Sequence, residues 1–279
     1  MKLYAYEGAW QIDHLLMVGV GGTGSVLAQI IARILWQRRQ MGQSVPLLHL
    51  VDPDVVEEKN VGRQHFLPLD ISMGKAEVTA RRLSLLYGLP IMWSNEAFDA
   101  EKHLQHGTVL IGCVDNHMAR QALVNAAEGI AYLDVGNDRT YGQVVCGSTG
   151  SLEKVMRVIQ QMESDQPYAR REHYYPCQHL PNIALLYPEL LQPEPPTPEI
   201  QPDLSCAELV MAEEQHLLIN DAVAMVCSNY LYKLINRQPL TTFMSLVDLH
   251  SQTTISKRIT PNELRNCLPA VTSNANVEK

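Results

Sequence analysis

Short apolar runs alternate with amphipathic stretches through the first half of the chain. His14-Leu15-Leu16-Met17-Val18-Gly19-Val20 is continuously apolar after His14 and ends in glycines, which predicts a fully buried strand. Ser25 to Arg39 repeats apolar residues at Val26, Ile30 and Ile34 and closes on basic residues, as a helix C-terminus favours. Leu47–Val51 is a second buried strand, closed by Asp52. Residues 75–87 form a predicted helix, stopped by Gly88 and Pro90, and Ile91–Ser94 a short strand. Thr108–Val114, Ala131–Gly136 and Gly142–Thr149 are further strands, with a helix over Ala119–Gly129 between the first two. Strands and helices that alternate in this way build a parallel sheet covered by helices, an α/β fold.

The pattern then changes. Eight prolines fall between Pro176 and Pro202, and that density predicts a long extended loop without helix or central strand. Cys206–Asn236 reads as one long helix, apolar at Leu209, Leu217, Ala222, Met225 and Val226, and Leu240–Leu249 as a strand. The last dozen residues are polar and expected to be disordered. The expected organisation is a ligand-binding core over residues 1–150, then an extension of the same domain over 151–268. That extension holds the loop, the helix and the C-terminal strand, and 269–279 is a tail. No internal repeat is present.

Composition narrows the function classes. The 279 residues carry 22 Lys and Arg against 30 Asp and Glu, a net charge of −8, which argues against a dedicated nucleic-acid binder. Met1–His14 holds Glu7 and Asp13 and lacks a basic segment followed by an apolar run, so no signal peptide is expected. No apolar stretch is long enough to span a bilayer. The 6 cysteines form no CxxC pair and read as reduced thiols, which gives a cytoplasmic expectation. Cys113, Cys146 and Cys227 fall in apolar contexts and are expected in the core.

Candidate chemistry begins where the first strand ends. Gly19-x-Gly21-Gly22-x-Gly24 stands between a strand and a helix, where glycine lets the backbone approach a diphosphate and the helix N-terminus offers free N–H groups. Asp52, at the end of the second strand, suits ribose hydroxyls. These features alone fit NAD and ATP equally. The stretch after Asp52 separates them: Asp54, then Asn60, Arg63 and Gln64. Arg63 can neutralise a phosphate in bidentate fashion, while Asn60 and Gln64 add neutral donors. Lys75 opens the helix at Gly74-Lys75-Ala76-Glu77, where the dipole disfavours a cation unless an anion is near. Asp115, in Cys113-Val114-Asp115-Asn116, stands at a strand's carboxyl end and suits Mg²⁺ held against phosphate oxygens; its plainer role is to cap the following helix.

Taken in order, GxGGxG, DxD, Asn with Arg-Gln, KAEV and CxDN followed by Arg120 resemble the ThiF/MoeB and ubiquitin-activating-enzyme family of adenylyltransferases. The resemblance is close over about residues 14–150. It continues loosely through Ser205-Cys206-Ala207-Glu208, Gln215 and Asn220, which look most like the ThiF-like proteins of PRTRC gene clusters. It implies a Rossmann-like fold and the activation, with ATP and Mg²⁺, of the C-terminal carboxylate of a ubiquitin-like or sulfur-carrier-like protein. It also implies that Asp52 binds ribose, that Asn60, Arg63, Gln64 and Lys75 hold the triphosphate, and that Asp115 coordinates Mg²⁺. Gly19, Gly21, Gly22, Gly24, Asp54 and Asn116 complete the nucleotide-binding set. Arg63, Lys75 and Asp115 are the candidate catalytic residues. Cys206, after the proline-rich loop and at a predicted helix N-terminus that would lower a thiol pKa, is the candidate thioester nucleophile; a small buried residue is its plainer role. The resemblance further implies a homodimer and a loop at 176–202 that passes over the substrate tail.

Two features depart from the family pattern. The paired CxxC zinc ligands are missing, and Cys177, His179 and Cys206 are too irregularly spaced for a standard site, so zinc is not expected. No arginine precedes Arg33, so an N-terminal arginine reaching across a dimer has no counterpart. Two alternatives stay open: an inactive scaffold that binds a ubiquitin-like partner, and an NAD-dependent oxidoreductase that leaves Asn60, Arg63 and Gln64 without a task.

Overall fold

A computed structural model describes residues 12–164, 179–193 and 218–269. An eight-stranded sheet runs through it in the order β3-β2-β1-β4-β5-β6-β7-β8. The strands are β1 (His14–Val18), β2 (Leu47–Val51), β3 (Ile91–Ser94), β4 (Thr108–Gly112), β5 (Ala131–Asn137), β6 (Tyr141–Cys146), β7 (Thr242–Asp248) and β8 (Thr253–Arg258). The first five are mutually parallel, and β6 to β8 add on antiparallel. The protein is therefore an α/β, Rossmann-like fold with an antiparallel C-terminal extension.

Burial on both faces explains the apolar runs. Leu15, Leu16 and Met17 of β1 and Val109, Leu110 and Ile111 of β4 are fully excluded from solvent. α1 (Gly22–Gln40) packs Leu27, Ile31 and Leu35 into the core. It ends on Arg38 and Arg39, and the Arg38 guanidinium donates 2.7 Å to Asn236 Oδ1. α2 (Lys75–Tyr87) stops at Gly88, whose φ of 64° only glycine adopts cheaply. α3 (Ala100–His103) and α4 (His117–Ala126) follow β3 and β4. The long late helix is α7 (Ile219–Ile235), packed against α1 and the β5–β6 pair; the earlier part of its predicted span, 206–217, lies outside the described residues.

Several expectations need correction. β1 stops at Val18 and β4 at Gly112, two residues earlier than read; after β1 the chain turns at Gly19, where φ is +90°. α1 starts at Gly22 rather than Ser25, so three motif residues form its first turn. The proline-rich stretch is not wholly extended. α6 (Ile183–Leu186), capped by Asn182, is a proline-free turn, and Pro188 opens the 3₁₀ turn Pro188–Leu191, where a missing N–H costs nothing. α5 (Leu152–Glu163), β8 and α8 (Pro261–Cys267) were not anticipated. In β8, Thr253–Ile255 are exposed, so the strand carries no apolar run to announce it. The expected tail lies outside the described residues except for Pro269. Among the described residues no helix is long and apolar enough to cross a membrane.

Candidate nucleotide site at the sheet switch point

β1 has β2 on one side and β4 on the other, so the chain's crossovers leave it in opposite directions. In open α/β sheets ligands settle in the crevice this reversal leaves at the strands' carboxyl ends. The glycine motif occupies that place. Gly19 N–H donates 2.9 Å to Val51 O, and Cys113 N–H donates 2.7 Å to Val18 O, which binds the loop to both neighbouring strands.

The four glycines divide by what a side chain would strike. Gly19 has φ +90°, and a Cβ there would collide with the Cys113 carbonyl; one on Gly24 would collide with the Gly19 carbonyl. These two make the strand–helix turn possible. A Cβ on Gly22 would lie 2.7 Å from Asn220 Nδ2. At Gly21 the space is open, with nothing nearer than the Gln64 side chain at 3.9 Å. Gly21 is thus the position where backbone faces room for a ligand. Gly21 also caps α1, a residue with no side chain to satisfy the first-turn N–H groups, and that turn carries no acid, so an anion is the natural partner for this end.

Asp52 is buried, and both carboxylate oxygens accept backbone hydrogen bonds: Oδ2 from Val20 N–H at 2.6 Å, Oδ1 from Asp54 N–H at 2.8 Å. Burial pushes its pKa up, opposed by those two bonds and by the Lys75 charge. Asp52 therefore shapes the glycine loop itself, with lone pairs left on each oxygen. The anion that steadies Lys75 at the start of α2 is Asp54: Lys75 Nζ lies 2.9 Å from Asp54 Oδ2, and the lysine is buried while its partner is exposed. The expectation that an anion lies near Lys75 is met first by the protein's own carboxylate.

Asn60 is buried and accepts from Glu57 N–H at 2.9 Å, which rigidifies the turn before Arg63. Gln64 lies against Gly21, and its Oε1 is buried with no hydrogen-bond partner among the described residues. An amide oxygen left in this way is available to a group or a water that enters the cleft. Arg63 is exposed, with no ion pair or hydrogen bond among the described residues. Asp115 is exposed in the same way, just beyond β4. It does not cap α4; Asn116 does, accepting from Ala119 N–H at 2.8 Å. That spends the Asn116 Oδ1 on the fold. Among the described residues Asp115 is left as an unengaged hard carboxylate, a donor type that suits Mg²⁺.

Two polar clusters lie behind the site, built around the motif residues Asn220 and Arg120, and their other members carried no motif. In the first, Asn220 Oδ1 accepts from Thr23 Oγ1 at 2.9 Å and from Asn137 Nδ2 at 2.8 Å, which joins the first turns of α1 and α7 to the end of β5. His65 Nε2 lies 3.9 Å from Asp221 Oδ1 in the same turn of α7. In the second, Arg120 and Asp134 form a buried ion pair beside Tyr132. A buried acid inside the apolar run Ala131–Gly136 was the available signal. Cys206 and Cys177 lie outside the described residues. Cys146 and Cys227 are buried as expected, and burial raises the Cys227 thiol pKa well above its usual range. Among the described residues no group of three or more His, Cys, Asp or Glu is arranged to hold a metal. A groove of about 480 Å³ lies over β6–β8, lined by Tyr141, Tyr187, Leu246 and Ile255 among others, and none of its residues belongs to the glycine loop.

Comparison with known proteins bears on the family and the fold. The chain is 34% identical over 127 residues to ubiquitin-like modifier-activating enzyme 5 of Drosophila mojavensis, a stretch covering 40% of this chain and 29% of that protein. The counterpart from Aedes aegypti is 30% identical over 131 residues, or 41% of this chain and 31% of the relative. The matched stretch thus spans about three-tenths of these curated relatives. Among solved structures, E. coli MccB with ATP superposes with a TM-score of 0.51 at 14% identity, over 90% of this chain and 65% of that one, a likeness of fold. The family model described as the ThiF family matches residues 9–268, nearly the whole chain, and the protein belongs to the ThiF family.

Proposed function

We propose that the protein is an ATP-dependent adenylyltransferase that activates the C-terminal carboxylate of a ubiquitin-like or sulfur-carrier-like protein. The observation that carries this reading is the open face at Gly21 against Gln64, whose Oε1 has no partner among the described residues; Arg63, next to Gln64 in the chain, is exposed and has no ion pair or hydrogen bond among them. Membership of the ThiF family and the partial likeness to ubiquitin-like modifier-activating enzymes support it.

The chemistry asked of the residues is modest. A substrate carboxylate is already ionised at neutral pH and needs no general base. Its oxygen attacks the α-phosphorus in line, an O–P bond forms, and the bond to pyrophosphate breaks with the electron pair leaving on pyrophosphate. The N-terminus of α1 and Gly21 cradle the phosphates, Arg63 and Lys75 offset the charge that builds on them, and Asp52 fixes the loop and takes the ribose. Asp115 would hold Mg²⁺, which supplies charge neutralisation on the departing phosphates when bound. We assign the homodimer and the PRTRC-like subtype to the same reading, and Cys206 as the residue whose thiolate would take the acyl group from the adenylate as a thioester, the acyl–oxygen bond breaking and AMP leaving.

ATP–pyrophosphate exchange in the presence of a candidate ubiquitin-like protein with a free C-terminal glycine tests the proposal. Exchange that depends on both Mg²⁺ and the partner's free carboxylate is the expected result. Selective binding of NAD in place of ATP would overturn it. For the nucleophile, Cys206→Ala is expected to keep exchange and lose any reducible conjugate; a conjugate that persists on the variant would remove Cys206 from the role.

A further inference from the structure

Arg120 lies on α4 with its side chain buried behind the loop that carries Asp115. Its Nη2 donates 2.7 Å to the carbonyl of Val114. That carbonyl belongs to the peptide group whose N–H is that of Asp115, so the bond sets the orientation of the peptide plane that leads into the carboxylate residue. On the other side Arg120 Nε faces Asp134 Oδ2 at 3.3 Å, and Tyr132 OH donates to the same oxygen at 2.6 Å. Asp134 is wholly excluded from solvent, and it sits on β5 beside Gly112, the last residue of β4. Its second oxygen, Oδ1, has no partner among the described residues.

A buried ion pair is weak evidence for stability, because desolvation offsets most of the attraction; apolar residues of equal volume commonly serve as well. Such a pair is more informative when one member makes a further directed bond. Here that bond goes to the backbone just before Asp115, while Asp115 itself has no partner among the described residues to hold it. Asn116, next in the chain, is fixed by capping α4, so Asp115 is suspended between two anchored neighbours.

We propose that the Arg120–Asp134 pair is a positioning device for Asp115: it holds the Val114–Asp115 peptide in the one orientation that presents the carboxylate to a divalent cation at the phosphates. This rests on the nucleotide-site reading above. Arg120 and Asp134 touch neither ATP nor metal.

The test uses the full chain with Arg120→Lys, which keeps a cation beside Asp134 but cannot span both Asp134 and the Val114 carbonyl. A second variant, Arg120→Met with Asp134→Asn, removes both charges and leaves Tyr132 an acceptor. Two measurements are made beside a melting curve: amide hydrogen exchange of the peptide covering 113–117 in the metal-free protein, and ATP binding titrated with Mn²⁺. Asp115→Asn serves as the reference for a lost metal ligand. Both Arg120 variants are expected to exchange faster by at least tenfold at 113–117 and to need about tenfold more Mn²⁺ for ATP binding, with binding of metal-free ATP unchanged. Wild-type exchange rates and wild-type Mn²⁺ dependence in a folded variant would overturn the positioning role alone. If the wild-type chain shows no metal-dependent ATP binding and Asp115→Asn behaves identically, the nucleotide-site reading fails and this inference falls with it.

Discussion

Asp52 Oδ2 accepts a 2.6 Å hydrogen bond from the backbone N–H of Val20, 32 residues earlier in the chain. The end of β2 thereby sets the path of the loop after β1. A residue expected to bind ribose also holds the surface on which phosphates would rest. Asp52→Ala leaves the Val20 and Asp54 N–H groups without their acceptor, each at a cost of about 1–3 kcal/mol where water cannot reach. We expect a lowered melting temperature together with weaker ATP binding. A variant with wild-type stability would show that the loop does not depend on this carboxylate.

Gly19 and Gly21 should respond oppositely to alanine. Gly19→Ala forces a Cβ into the Cys113 carbonyl at φ +90°, and we expect loss of folding or a destabilisation of about 3 kcal/mol or more. Gly21→Ala meets open space, so the melting temperature should hold while ATP affinity falls at least tenfold. Thermal melts and nucleotide titrations on the pair separate fold-bearing glycine from ligand-facing glycine. Unchanged affinity in Gly21→Ala would place the phosphates elsewhere.

Arg63 and Asp115 are exposed and unpaired among the described residues, so alanine at either should cost the fold less than about 0.5 kcal/mol. Pyrophosphate exchange should nonetheless fall by two or more orders of magnitude in each, as for the loss of one preorganised electrostatic contact. Near-wild-type exchange by Arg63→Ala would count against the mechanism.

Two buried histidines, His14 and His49, give the fold an acid limit. The His49 ring meets those of His14 and His103 in tilted contacts, with centroids 5.7 and 5.6 Å away; His14 is bonded to Thr108 Oγ1 and His49 to Ser94 Oγ. Burial, then the neighbouring histidines, lowers the His14 pKa to about 4, and burial lowers that of His49; Glu96, beside His103, opposes the shift at His49. The unfolded chain binds these protons near pH 6.5 and the folded one only at lower pH. Stability should therefore be full above about pH 6.5 and decline as the pH falls toward 4. A His14→Gln variant should flatten that decline in a pH series of denaturant melts, and an equally steep decline would locate the acid sensitivity elsewhere.

The centre of the parallel half was legible because β1, β2 and β4 are buried on both faces, which leaves uninterrupted apolar runs ended by glycine or acid. β8 gave no such signal, since residues 253–255 face solvent and its partner β7 supplies the burial. α6 was hidden because proline density was read over a window, whereas Ile183–Tyr187 contains none. At the site, residue types pointed to Arg63, Lys75 and Asp115, but partners did not follow from spacing. The Lys75–Asp54 pair and the Asn220 contact with Gly22 join residues 21 and 198 positions apart, and only the folded chain brings them together.

The central claim is that the cleft at Gly21 takes ATP with a divalent cation. Parallel titrations of the purified chain with Mg²⁺-ATP and with NAD test it most directly. The account predicts saturable, magnesium-dependent binding of ATP, lost in Arg63→Ala, and no comparable binding of NAD. Preferential binding of NAD, or ATP binding indifferent to both Mg²⁺ and Arg63, would contradict it.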